Sequence, residues 1–171
     1  MFLFSCGEEE KIENAFKIVE IPLTSELEGA KLTECVSDGD MIAIFAELNN
    51  EGYILYTSGA KTFKSVQLNL GLAVGTHWSQ DGLAIDNDKI WLTISGDEPD
   101  SDGNYNSFGR IYCISDGIVN LVYDDVKNCR GLAASGDKAV TVIGGVLTVV
   151  SPDGTTETLE YSETQMIDGV E

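Results

Sequence analysis

The sequence predicts an all-β protein built from short antiparallel strands. Two local observations predict this class: short apolar runs rich in Val, Ile, Tyr and Thr, and clusters of Asp, Asn, Gly and Ser that separate them. A third observation is a pattern that recurs along the chain. The 171 residues include 18 Gly but only 3 Pro, and 43% of them are hydrophobic, which is enough for a sizeable core.

The predicted strands alternate with turn signals. Six apolar runs have the length and composition of strands, over residues 41–45, 53–56, 89–94, 110–114, 139–143 and 146–150. Turn clusters lie beside them at residues 49–52, 115–117, 144–145 and 152–154. Because these turns are short, we expect hairpins between neighbouring strands.

A ten-residue pattern occurs three times. Residues 82–91 align with residues 131–140, and a weaker copy covers residues 34–43. Each copy predicts a strand, a tight turn and a second strand, and two further strands follow each copy. Four short antiparallel strands in a repeat of forty to fifty residues are typical of a β-propeller blade. We therefore expect about three blades.

The repeats define the predicted domain organisation. We expect an N-terminal segment over residues 1–30 and a repeat domain over residues 31–171, with repeats at about 31–75, 76–126 and 127–165. Propellers normally close with about four to eight blades. Three arrangements follow: a fragment whose further blades are missing, two copies forming a six-bladed ring, or an open stack or two-sheet sandwich. The expected structural partner is a second copy or missing C-terminal blades.

The charge balance excludes one class of partner. The chain has 29 acidic against 10 basic residues, a net charge of −19. Nucleic acids are bound by clustered Lys and Arg, so we expect no nucleic-acid binding. No stretch approaches the roughly 20 apolar residues of a membrane-spanning helix.

The N-terminus carries a second signal. Leu3, Ser5 and Cys6, followed by a polar run, resemble the end of a bacterial lipoprotein signal, although only five residues precede Cys6. The resemblance implies an exported protein of the cell envelope, attached to a membrane only through lipid on Cys6. The alternative is an apolar first strand in a cytoplasmic or virion protein.

The second repeat contains an insertion over residues 97–107. Its Glu98-x-Asp100-x-Asp102-Gly103-x-x-Asn106 spacing resembles the calcium loops of integrin-like repeats. Alternating oxygen ligands suit a hard cation, and glycine permits the sharp turn. The resemblance implies calcium, the one cofactor we consider, held by Glu98, Asp100, Asp102 and Asn106. The alternative is a solvated acidic hairpin tip.

A further motif concerns the hairpin turns. Residues 56–63 resemble a degraded Asp-box, the turn of sialidase-like (BNR) propellers, and residues 115–117 and 151–155 lie at equivalent turns. The resemblance implies a structural hairpin and not a catalytic element. Sialidases bind the substrate carboxylate with three arginines, whereas this chain contains only Arg110 and Arg130. We therefore exclude a sialidase of that type.

One short segment is a candidate binding site. His77, Trp78 and Asp81 are expected on a loop at the mouth of the repeat domain, where an aromatic ring beside a carboxylate suits a sugar or a peptide. The alternative places Trp78 in the core between blades. Neighbours in sequence seldom have triad geometry, so we assign no catalytic residue around Ser79.

The cysteines predict no metal site. Cys35, Cys113 and Cys129 lie in or beside predicted strands, without a C-x-x-C pair and with a single His in the chain. We expect all three to be small buried apolar residues.

The predicted function is a non-enzymatic binding or scaffold module of an exported bacterial protein, with a glycan or protein ligand. This step rests on analogy at the level of the fold. Two alternatives stay open: a fragment of a sialidase-like glycoside hydrolase, and a phage or virion structural protein.

Overall fold

A computed structural model describes residues 25–58 and 63–159 of the chain. Within these residues, a short 3-10 helix over Ser25–Leu27 is followed by twelve β-strands, so the predicted all-β class is confirmed. The lipidation candidate Cys6 lies outside the described residues. None of the described segments forms a helix long and apolar enough to cross a membrane.

The strands form three four-stranded antiparallel sheets, as predicted. In each sheet the strands are neighbours in chain order, and within the described residues no sheet closes into a barrel. Sheet 1 contains β1 (Lys31–Asp38), β2 (Met41–Leu48), β3 (Glu51–Ser58) and β4 (Lys64–Gln67). Sheet 2 contains β5 (His77–Asp86), β6 (Lys89–Pro99), β7 (Tyr105–Ser115) and β8 (Ile118–Asp125). Sheet 3 contains β9 (Cys129–Ser135), β10 (Lys138–Ile143), β11 (Val146–Val150) and β12 (Thr156–Thr158).

The hairpins form where the turn residues occur in the sequence. Asn49 and Asn50 join β2 to β3 with φ of 53° and 65°, and Gly144 and Gly145 join β10 to β11 with φ of 56° and 88°. Two successive residues with positive φ make the type I′ turn whose twist matches that of the flanking strands. Asn and Gly are the residues that adopt this conformation at little cost.

The sheets pack face to face in chain order around two cores. Strand β6 lies between them, because Ile90, Leu92 and Ile94 belong to the core shared with sheet 1, whereas Trp91 belongs to the core shared with sheet 3. Successive side chains of a strand point to opposite faces. This strand is therefore apolar on both faces and forms a continuous hydrophobic run in the sequence.

The first strands of the three sheets lie side by side, with β5 in contact with both β1 and β9. Each of these strands has a β-bulge at a similar place in its repeat: between Leu32 and Glu34, between Gln80 and Gly82, and opposite β10 between Val140 and Val142. A bulge bends its strand and changes the direction of the side chain at that point. The recurrence of the bulge supports the sequence repeat at the level of backbone geometry.

The two outer sheets differ in how their free faces are covered. On sheet 1, Leu27 is 1% exposed and packs against Ala46 and Leu55. On sheet 3, alternation places four half-buried apolar side chains on the outer face, Val140, Val142, Leu147 and Val149.

The cysteine prediction holds for two of the three residues. Cys113 and Cys129 are buried in the core between sheets 2 and 3. Cys35 is exposed, so the prediction of its burial was wrong. Strand β1 is at the edge of sheet 1, and Cys35 pairs with Ile44 on the face that Leu27 covers only in part.

Candidate functional site

The central strands of sheet 2 are longer than those of sheet 3, which packs on one of its two faces. Strands β6 and β7 have 11 residues each, whereas β10 and β11 of sheet 3 have 6 and 5. The inserted residues do not form a separate loop: they lengthen both strands of the β6–β7 hairpin and leave a tip at residues 100–104. One end of sheet 2 therefore extends beyond sheet 3.

Sheet 3 and the segment that leads into it cover sheet 2 only as far as Gly109. The segment joining β8 to β9 passes directly over this residue, so that a Cβ atom built there would lie 2.8 Å from the Cys129 nitrogen and against the Lys127 carbonyl oxygen. Only a glycine allows this close approach. Beyond it, on the same face, lie His77, Asp97, Tyr105 and Ser107, which we call the overhang.

Strand pairing explains why the overhang residues share a face. His77 pairs with Asp97 and Asp97 pairs with Ser107, while Tyr105 pairs with Pro99, two residues further along β6. Directly paired residues project to the same side of a sheet, as do residues two apart. All four overhang residues are exposed.

Two contacts order the overhang. The rings of His77 and Tyr105 stack with centroids 5.8 Å apart and an angle of 28° between their planes. Beside them, the Ser107 hydroxyl donates a hydrogen bond of 2.7 Å to the Asp97 carboxylate. The Tyr105 side chain is still 55% exposed, so much of its surface faces solvent.

A polar groove of about 480 Å³ continues from the overhang to the junction with sheet 3. The polar residues that line it are Ser79, Asp81, Ser95, Asp97, Asn128 and Arg130. Asp81 is the residue at the β5 bulge, and its carboxylate accepts hydrogen bonds from the hydroxyls of Ser79, at 3.1 Å, and Ser95. Arg130 is exposed, and no carboxylate of the described residues lies within ion-pair distance of it.

The three binding residues predicted from sequence lie on strand β5, so the prediction of a loop was wrong, and they do not form one site. His77 is on the overhang and Asp81 lines the groove, both on the side of sheet 2 that faces sheet 3. Trp78 points the other way: its ring meets Phe45 edge to face, with centroids 6.1 Å apart, and its Nε1 donates to Asn50 Oδ1 at 3.2 Å. Trp78 thus packs between sheets 1 and 2, which agrees with the alternative interpretation of that residue.

Sequence reasoning missed Ser95, Asp97, Tyr105 and Ser107 as neighbours of His77 and Asp81. Asp97, Tyr105 and Ser107 belong to the inserted segment, where a period of two continues the strand face that carries Ser95. That signal becomes specific only once the pairing of β6 with β5 and β7 is known.

The candidate calcium ligands lie at the tip of the same hairpin. Asp100 Oδ1 accepts hydrogen bonds of 2.9 Å from the backbone N–H groups of Asn104 and Asp102. These bonds, the one from Asn104 first, hold the pKa of Asp100 below its usual value. The Asn106 amide lies 3.4 Å from its other oxygen.

Glu98, the first ligand of the proposed loop, faces sheet 1. Its Oε1 accepts a 2.8 Å hydrogen bond from the Ala73 N–H, and its Oε2 lies 3.5 Å from Arg110 Nη2. Over residues 25–58 and 63–159, no group of three or more His, Cys, Asp or Glu side chains is arranged to hold a metal ion. Calcium binding stays a prediction, which a rise in melting temperature with calcium, and not with magnesium, would support.

The two arginines have different surroundings. Arg110 joins elements, because its Nε lies 3.1 Å from Asp124, its Nη1 donates to the Leu70 carbonyl at 3.1 Å, and its guanidinium lies over the Phe108 ring. Arg130 is instead exposed at the rim of the groove and pairs with Val142 of β10. Beside Arg130, burial raises the pKa of the Cys129 thiol to about 12, so this thiol is protonated at neutral pH.

Comparison with known proteins provides no family for this chain, since no family model, no curated protein and no solved structure matches it.

Proposed function

We propose that this protein is a non-enzymatic binding or scaffold module, built from propeller-type repeats, and that it binds a glycan or a protein with the overhang and the adjoining groove. The overhang is the observation that carries the proposal. It presents an aromatic pair, a carboxylate and a hydroxyl to solvent on regular strands. A site on paired strands is held more firmly than one on a loop, and firm placement reduces the entropy lost on binding.

The packing supports propeller-type repeats. Val140 and Val142 are the third and fifth residues after the two-residue turn that precedes β10. The third and fifth residues after the corresponding turn before β6 are Trp91 and Thr93, and both are 0% exposed because sheet 3 packs on them. A fourth sheet placed on sheet 3 would bury these valines in the same way. We propose that a second copy supplies it, so that two copies form a six-bladed ring.

The hydrogen bonds of the groove support binding more than catalysis. Ser79 donates directly to Asp81, and the His77 ring stacks on Tyr105, so the three residues are not linked as Ser–His–Asp in a triad. The hydrolase alternative would instead use Asp81 and Asp97, because glycoside hydrolases act with two carboxylates. Export to the bacterial envelope with lipid on Cys6 remains part of the proposal.

The test exposes the protein to immobilised panels of oligosaccharides and peptides. We expect saturable binding that Tyr105→Ala and Arg130→Gln weaken and that Lys138→Gln, an exposed site in the turn region of sheet 3, leaves unchanged. Mass spectrometry of the bound ligand after prolonged incubation should show it intact. If the ligand is cleaved and Asp81→Asn abolishes the cleavage, the protein is a hydrolase instead. If Tyr105→Ala and Arg130→Gln leave the affinity unchanged, the proposed site is refuted.

A further inference from the structure

We infer that the ligand of the overhang is a neutral saccharide, whose ring stacks on Tyr105 and whose hydroxyls bond to Asp97 and Ser107. This inference rests on the proposed function and narrows its ligand to one chemical class.

The aromatic pair provides a flat surface. Because its ring lies at 28° to that of His77, Tyr105 is braced from one side while 55% of the residue is exposed. An aromatic side chain has few rotatable bonds and a large apolar face, so it makes contact at a small entropic cost. The C–H groups on one side of a pyranose ring form an apolar surface that matches such a face.

The groups beside the aromatic pair suit hydroxyls. A carboxylate only accepts hydrogen bonds, whereas a serine hydroxyl both donates and accepts. Because Ser107 gives its one hydrogen to Asp97, both residues offer free lone pairs next to the stacking surface, to which the hydroxyls of a sugar can donate. Asp81, Ser79 and Ser95 repeat this combination in the groove, so a chain of several sugar units finds the same chemistry along its length.

Charge argues that the saccharide is neutral. The residues that line the groove include two carboxylates, Asp81 and Asp97, and one basic residue, Arg130, and the chain as a whole has a net charge of −19. A uronic acid or a sulfated sugar would approach against this field and lose affinity.

A protein ligand fits the surface less well. Protein interfaces centre on large apolar or aromatic anchors that are fully desolvated, within a core depleted of charged residues. The overhang has one large exposed apolar side chain, Tyr105, with a carboxylate on the neighbouring strand.

The experiment titrates the full chain with five neutral pentasaccharides (cellopentaose, maltopentaose, laminaripentaose, xylopentaose and chitopentaose) and with oligogalacturonate, by calorimetry and saturation-transfer NMR. We expect at least one neutral sugar to bind. Tyr105→Ala should weaken it about tenfold, Tyr105→Phe should retain it, and Asp97→Asn should weaken it several-fold. Thermal melts of each variant verify that the fold is intact.

The outcomes separate this inference from the function on which it rests. Binding of a peptide at the overhang, lost in Tyr105→Ala, with no neutral sugar bound, refutes the saccharide and keeps the binding module. Tighter binding of oligogalacturonate that depends on Arg130 also refutes a neutral ligand. Equal affinity of Tyr105→Ala and the parent chain for a bound sugar would refute the stacking site itself.

Discussion

At the scale of single residues, the close approach of sheets 2 and 3 depends on glycine. Gly82 is one such position, because a Cβ built there would lie 2.6 Å from the Leu132 Cβ and 3.1 Å from Thr93 Oγ1. Gly109 is another, under the segment that joins β8 to β9. At both positions the neighbouring backbone or side chain occupies the space that a methyl group would need.

We predict that Gly109→Ala lowers the free energy of unfolding by about 1–3 kcal/mol, the usual cost of overpacking a dense interior. The added methyl would meet the Lys127 carbonyl oxygen and the Cys129 Sγ atom, the latter at 2.8 Å. Urea unfolding followed by fluorescence measures the change. Gly136→Asn is the control, because no atom lies within 4 Å of a Cβ there and asparagine accepts the observed φ of 59°. Parent-like stability of Gly109→Ala would contradict the packing of this segment.

Trp78 is a second single residue of interest, because the sequence could not decide whether it is exposed or packs in the core. It lies between His77 and Ser79, in a polar stretch that contains both exposed and half-buried residues. Strand alternation predicts that it points away from His77. Only the sheet on the other side, with Phe45 and Asn50 in contact distance, decides that it packs inside.

At the scale of elements, the β6–β7 hairpin is organised by one carboxylate. Asp100 bonds to two backbone N–H groups that the turn would otherwise leave without a partner. Asp in this position imitates a backbone turn. The acidic tip predicted from sequence is thus an ordered turn.

We predict that this order depends on pH. The pKa of Asp100 is lowered in the folded protein, chiefly by the Asn104 N–H. The ionised form therefore stabilises the tip fully above the ordinary carboxyl pKa of 3.8, and this stabilisation is lost as pH falls through the lower folded value. The protection factors of the Asp102 and Asn104 amides, which compare the exchange rate measured by NMR with the intrinsic rate at each pH, should fall as Asp100 is protonated and should be low at all pH values in Asp100→Ala.

Asp102→Ala is the matched control for that experiment, because it removes a neighbouring carboxylate of the same tip without removing the acceptor of these two hydrogen bonds. Parent-like protection factors in Asp100→Ala would mean that the backbone alone orders the turn.

At the scale of the whole molecule, sheet 3 presents an apolar outer face. Its valines occupy repeat positions that are buried in sheets 1 and 2, where Phe45 is 1% and Trp91 0% exposed. Burial of such a face is favourable in proportion to the area removed from water. The net charge of −19 opposes association of two copies, so ionic strength should influence it.

We predict a dimer of twice 18.4 kDa by light scattering after size exclusion, at physiological salt, where screening acts beyond about 8 Å. Val142→Lys should yield a monomer, because the new charge would be buried between the sheets. Val74→Lys, at a residue that is 100% exposed, should leave the dimer intact. A monomeric parent chain, or a Val142→Lys dimer, would contradict the six-bladed ring.

The amino-acid sequence alone determined the strands, the turns and their grouping in fours. These depend on neighbours along the chain: a period of two, β-branched residues, and turn residues such as Asn49 and Asn50 that adopt positive φ. Because the repeat occurs three times, it also predicted the number of sheets, but it does not predict how the sheets pack.

The tertiary structure decided the site. Tyr105 and Asp97 become neighbours of His77 through strand pairing, and all of them are exposed because sheet 2 is longer than sheet 3 and Gly109 marks the end of the cover. The strand pairing and the difference in sheet length both depend on segments that are far apart in sequence. The propensity of a segment to form a strand depends on that segment alone, whereas the exposure of its residues depends on which other segments pack on it. The sequence pattern of one strand therefore does not predict which of its residues are exposed.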